Sequence, residues 1–290
     1  MVLPTLPNSE PFATAVDGSG NVYVTEQGKF SVRKISKDGT VTTLIADYRG
    51  SGLDPTFTQP AWPAADAQGN VYIADSTRIQ KISPAGIITT LAGGLSAGYV
   101  DGPASSALFR NLQQGITIDR SGNIYALDVV ANPSCAIRKV APDGTVTTFI
   151  DTTQFGGCGN AFIASDALGN VFFARCGTTG QGVIYKITPS GSMSQFATSV
   201  SQWSFTVNPS TDEMFVTLSE ITSSYQVRYS ILKVTPAGQS LIAGGTPEGF
   251  ADGDGNTAQF DTPGGFSIDD HGNIFVADLQ NNRIRKVSKK

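Results

Sequence analysis

Few residues in this chain could carry chemistry. Its one histidine, His271, stands in Asp269-Asp270-His271-Gly272-Asn273, a run that reads as a tight turn rather than a catalytic base. Cys135, Cys158 and Cys176 have no CxxC spacing, which removes a structural zinc or a thioredoxin-like motif. Asp252-Gly253-Asp254-Gly255-Asn256 has the alternation of a calcium loop. Thr257, however, stands where an EF-hand needs glycine, and no helical pattern flanks the loop, so it reads as structural. What remains is a set of aromatics and amides with one guanidinium: Phe12, Gln59, Trp62, Gln114, Asn160, Arg175, Gln202 and Trp203. Such residues, brought into one concave site, recognise a small polar organic molecule, a sugar or a peptide.

The elements that must position them are short strands. Apolar residues make up 40% and charged residues 15%, with 32 glycines and 15 prolines, the balance of a turn-rich all-β protein. A net charge of −4 and a pI near 5.0 give none of the positive field that nucleic acid requires. No run of 18 apolar residues could span a membrane. The start, MVLPTLPNSEPF, lacks the basic-then-apolar pattern of a signal peptide.

One unit recurs six times. VDGSGNVYVTE (16–26), ADAQGNVYIAD (65–75), IDRSGNIYALD (118–128), SDALGNVFFAR (165–175), VNPSTDEMFVTL (207–218) and IDDHGNIFVAD (268–278) each read as strand, tight turn, strand. Segments such as IleArgLysVal at 137–140 and 284–287 give a third strand, and runs such as Val41–Ile45 a fourth. Four antiparallel strands make a blade, and six blades make a closed propeller. The sixth copy has three strands of its own, so Met1–Leu6 is expected to complete it and close the ring of a single domain spanning 1–290. A monomer is expected.

Columns across the copies assign roles. The strand-two aromatics Tyr23, Tyr72, Tyr125, Phe172, Phe215 and Phe275 read as inter-blade core, and the basic residue of strand three as a snorkelling position. Strand two ends in an acid in blades one, two, three and six but in Arg175 and Leu218 in blades four and five. Blade five has the longest loop between strands two and three, Ser219–Tyr229. The first residues of the innermost strands converge on the channel mouth, and the set of aromatics and amides lies there or nearby. Around the turn at 166–170, Cys158 and Cys176 lie nearly opposite and could form a disulfide, with Cys135 as an alternative partner; a bridge would indicate an oxidising compartment.

With GNIFVAD, NNRIRKV and DGDGNTAQFDTPGGFSID the chain resembles the NHL-repeat β-propellers over essentially its whole length. The resemblance implies six blades around a channel with ligands on the loop face, and no single activity. Lyases of this kind depend on channel histidines, which this chain lacks. Related lactonases hold a hard cation on Glu, Asn and Asp; Glu10 and Asn160 resemble two of those ligands, while Gln114 and Ser201 or Gln202 depart from the other two. The expectation is an extracellular or periplasmic recognition module with no cofactor. The alternative is a channel-centred enzyme. It would be either a lactone or ester hydrolase with Ca2+ on Glu10 and Asn160, or a strictosidine-synthase-like condensing or cyclising enzyme steered by Glu10.

Overall fold

The computed structural model describes residues 2–5, 9–29, 31–46, 62–131, 134–151, 161–175, 181–200, 202–209, 211 and 213–288. At 2–5, 113–114, 131, 134, 181, 199–200 and 202–203 it describes the backbone alone. The strands form six four-stranded antiparallel sheets, each with its strands in chain order except the last, where Val2–Thr5 pairs with Arg283–Val287. Innermost strands of consecutive blades pack on one another, and blade six packs on blade one, so the sheets close into a six-bladed β-propeller. Six innermost strands, Pro11–Val16, Pro63–Ala65, Leu112–Ile118, Ala161–Ser165, Gln202–Val207 and Pro263–Ile268, surround the axis.

The Asp-x-x-Gly-Asn sequence builds its turn through the aspartate. Asp17 Oδ1 accepts the Ser19 and Asn21 N–H groups, both at 2.9 Å, and Oδ2 accepts the Asn21 amide at 2.8 Å and the Tyr23 hydroxyl at 2.9 Å. Asp66 with Tyr72 and Asp119 with Tyr125 repeat the pattern. Burial, and then the adjoining carboxylate, raise the pKa of all three tyrosine hydroxyls. Glycine at the turn's fourth position has φ near +80°, as at Gly20 and Gly69, where a side chain would be strained.

The strand-two aromatics fill the clefts between blades, as their column predicts: Tyr125 packs with Phe173 of the next blade, and Phe275 with Val22 and Val24. The strand-three lysines lie over these rings at 5.3–5.8 Å in blades one, two, three, four and six. In blade five Lys233 pairs with Glu213 instead.

The acid ending strand two anchors a buried clasp. Arg138, fully buried, donates to Asp128 at 2.8 Å and to Asp101 at 2.6 Å, and its guanidinium stacks over Tyr99 and Phe109. Arg285 does the same with Asp278, Asp252, Phe250 and Phe260. Asp252 therefore serves the fold, as the sequence suggests. Burial raises the pKa of Asp278 against the opposing effect of the Asp261 N–H, Asn281 and Arg285.

Two expectations need correction. The blade-five segment 219–229 is largely strand: Met214–Ile221 and Val227–Thr235 stay paired out to Ile221 and Val227, and only a short turn at 222–226 is left at the tip. Its alternating Val, Tyr, Ile and Ser residues continue the ladder past its length in blades one, two, four and six. The disulfide also differs. Cys135 is buried and disulfide-bonded, and in a chain with three cysteines this excludes a Cys158–Cys176 bridge. Its strand, Ser134–Val140, runs on to the loop face. Cys158 and Cys176 themselves lie outside the described residues.

Candidate functional site

Among the described residues, one side chain reaches across the axis. Trp62 lies between Phe12 of blade one and Phe162 of blade four, with ring centroids at 5.5 and 5.4 Å and both contacts edge-to-face. Glycines make room for it. A Cβ on Gly265 would come within 2.3 Å of the indole, and one on Gly115 would meet the Trp62 Cβ at 3.0 Å. Trp62 thus touches blades one, three, four and six.

Below Trp62, toward the face bearing the Asp-x-x-Gly-Asn turns, the channel opens into a chamber of about 770 Å3. Trp62 and Phe162 form its floor. Thr14, Thr117, Ser165, Thr206 and Ser267 contribute hydroxyls to its wall, and the turns form its rim. Thr14 Oγ1 donates to Phe275 O at 2.8 Å, so the 2.8 Å contact between Thr14 and Ser267 uses the Ser267 proton. Ser165 donates to Ile118 O, so its contact with Thr117 uses the Thr117 proton. Ser267 and Thr117 therefore offer lone pairs to the chamber, a wall that suits a hydrogen-bond donor.

The residues expected at or near the channel mouth divide into four groups. Phe12 and Trp62 come together, half-buried, as the channel plug. Glu10 is exposed, with φ of 46°, its N–H donating to Asn282 Oδ1 at 3.0 Å; it does not line the chamber. Arg175 ends strand two of blade four, paired with Ala161 and Val183. Gln114, Gln202 and Trp203 lie in innermost strands, and their side chains are outside the described residues, as are Gln59 and Asn160 altogether. His271 stands on the turn face; its N–H donates to Asp269 Oδ1, and it does not line the chamber. Among the described residues no group of three or more His, Cys, Asp or Glu could hold a metal.

Phe162, the two glycines and the hydroxyl wall went unnoticed in the sequence. One column contains the signal: the residues four before each turn are Ala13, Trp62, Gly115, Phe162, Ser204 and Gly265. Two large rings among small residues are what a plug requires. A second cavity of about 940 Å3 lies off the axis between blades five and six, but Arg285 with Asp252 and Lys233 with Glu213 already pair charges in its wall.

No family model matches the chain, and no curated protein matches it. Solved structures share its architecture. A protein of unknown function from Bacteroides thetaiotaomicron VPI-5482 is 18% identical with a TM-score of 0.66, over 99% of this chain and 71% of that one. An auxiliary nutrient binding protein from Bacteroides ovatus ATCC 8483 is 14% identical with a TM-score of 0.64, over 98% and 70%. The gluconolactonase XC5397 from Xanthomonas campestris is 14% identical with a TM-score of 0.63, over 97% and 87%. The class that fold and comparisons define is the six-bladed β-propeller, and identities this low establish nothing finer.

Proposed function

We propose that the protein is a recognition module that holds a small, hydroxyl-bearing organic molecule of sugar type in the axial chamber. The observation that carries this is the pairing of a half-buried indole floor with two wall hydroxyls, Ser267 and Thr117, whose protons are already committed. A sugar would lay an apolar face on Trp62 and donate its hydroxyls to Ser267 and Thr117. The site thus moves from the loop face, where the sequence placed it, to the turn side of Trp62.

An extracellular or periplasmic setting is supported by the disulfide at Cys135 and by the nutrient-binding neighbour. Membership of the NHL family rests on the repeated GNIFVAD and NNRIRKV-type segments. The hydrolase alternative draws on the gluconolactonase likeness of fold, but Glu10 stands outside the chamber.

A panel of mono- and disaccharides, followed by tryptophan emission and thermal shift, tests the reading. Binding is expected to weaken at least about tenfold in Trp62→Ala, the loss of a stacking contact and its burial, and to be unchanged in Glu10→Gln. Saccharide binding unaffected by Trp62→Ala would sink the site. Lactone hydrolysis abolished by Glu10→Gln would establish the enzyme instead.

A further inference from the structure

The residue that follows the first turn position in each blade is Gly18, Ala67, Arg120, Ala167, Pro209 and Asp270. Four of these are small or cyclic and uncharged. The other two carry opposite charges, and they belong to blades three and six, which face each other across a ring of six. Arg120 and Asp270 both line the chamber, and they meet with Arg120 Nη2 3.5 Å from Asp270 Oδ1. A side-chain contact between opposite blades crosses the chamber's opening on the turn face.

We propose that Arg120 and Asp270 form a reversible latch over the chamber, so that a ligand enters when this ion pair parts. The inference rests on the chamber being a site, but the latch itself is read without any ligand. Its hinges are fixed, since Asp119 accepts the Ser121 and Asn123 N–H groups and Asp269 those of His271 and Asn273. The backbone on either side is therefore held while the two side chains swing from it. The pair is exposed, at 60% for Arg120 and 52% for Asp270, where water and salt screen it. Such a contact closes an opening without sealing it, which is what a gate needs and a structural bridge does not. With the pair parted, the rim residues at this level are the small ones of the other four blades, so entry meets no further long side chain from this column.

The test uses neutral acrylamide as the probe, quenching Trp62 emission from within the chamber. Trp203→Phe leaves Trp62 as the sole indole; should that variant fail to fold, the difference between the unmodified chain and Trp62→Phe isolates the same signal. Arg120→Ala and Asp270→Ala are each expected to raise the quenching constant about twofold to fivefold, the range of open population that an exposed ion pair controls. About 1 M NaCl should raise it similarly in the parent and leave both alanine variants unmoved, since it shortens screening to about 3 Å. Arg120→Asp combined with Asp270→Arg should restore the low constant. A constant insensitive to both alanine substitutions and to salt overturns the latch. Saccharide binding that persists with such a constant would remove the latch and keep the site; a mobile latch with no saccharide binding would do the reverse.

Discussion

Gly265 faces the indole of Trp62 so closely that a Cβ there would sit 2.3 Å from its Cζ3 and 2.6 Å from the Ala13 Cβ. The neighbour on one side is fixed to a strand backbone and on the other a ring already wedged between Phe12 and Phe162, so neither can yield without displacing the plug. Gly265→Ala is therefore expected to destabilise the fold by about 1–3 kcal/mol, as overpacking does. It should also shift tryptophan emission to the red as the indole leaves its slot. Unchanged melting and emission would show that Trp62 is not confined as described.

The clasp of Arg138 makes a second prediction. Its guanidinium is fully buried, and Asp128, also fully buried, is the partner that neutralises it there, whereas Asp101 is 46% exposed at its side chain. Asp128→Ala leaves a buried cation with half its compensation and is expected to cost about 3–5 kcal/mol. Asp101→Ala should cost clearly less, because water can replace that carboxylate. Asp101 is held below the usual carboxylate range: burial pushes it up, but the Thr148 N–H and Arg138 outweigh that. Its contribution is thus present above the unfolded pKa and lost as pH falls through the folded one. Chemical denaturation of both variants at pH 7 and pH 3 measures the order; equal losses at pH 7 would refute it.

The fold was legible because its signals are local and repeated. Asp-x-x-Gly-Asn marks a turn from its own side-chain hydrogen bonds, and the strand-two aromatic column marks burial between blades, six times over. The site was harder to see because it exists only across the ring. Trp62, Phe162 and Gly265 come from three blades and are adjacent only once the ring closes; Arg120 and Asp270 are 150 positions apart and meet across its diameter. Trp62 by type alone suits a mouth as well as a plug, and only the glycines opposite it decide. The disulfide failed for a related reason: symmetry about one turn favoured Cys158 with Cys176, while the reach of the Cys135 strand belongs to the neighbouring blade.

Cys135 supplies a third prediction. Peptide mapping without reduction should find it bridged to Cys158 or Cys176, with the remaining cysteine alkylated. Reduction, or Cys135→Ser, is expected to lower stability by about 2–4 kcal/mol through the freedom returned to the unfolded chain. A mapped Cys158–Cys176 bridge with free Cys135 would contradict the buried, bonded state of Cys135.

Tyr23, Tyr72 and Tyr125 each donate a hydroxyl to the aspartate of their own turn, and burial together with that carboxylate raises their pKa. A group raised on folding stabilises the fold fully below its unfolded value, about 10 for tyrosine, and that stability is lost as pH climbs toward the folded value. The unfolding free energy should therefore decline above about pH 10, and the decline should be shallower in Tyr23→Phe, which has one such proton fewer to lose. The same variant should be less stable at pH 7 by about 1 kcal/mol, the net worth of one hydrogen bond, with Asp17 keeping its turn donors. Absorbance at the tyrosinate band separates this from lysine titration, because ionisation of these three phenols should coincide with loss of strand structure. If all eight tyrosines ionise near pH 10 while the sheets persist, the hydroxyl-to-aspartate bonds do not hold the turns in the way the geometry indicates.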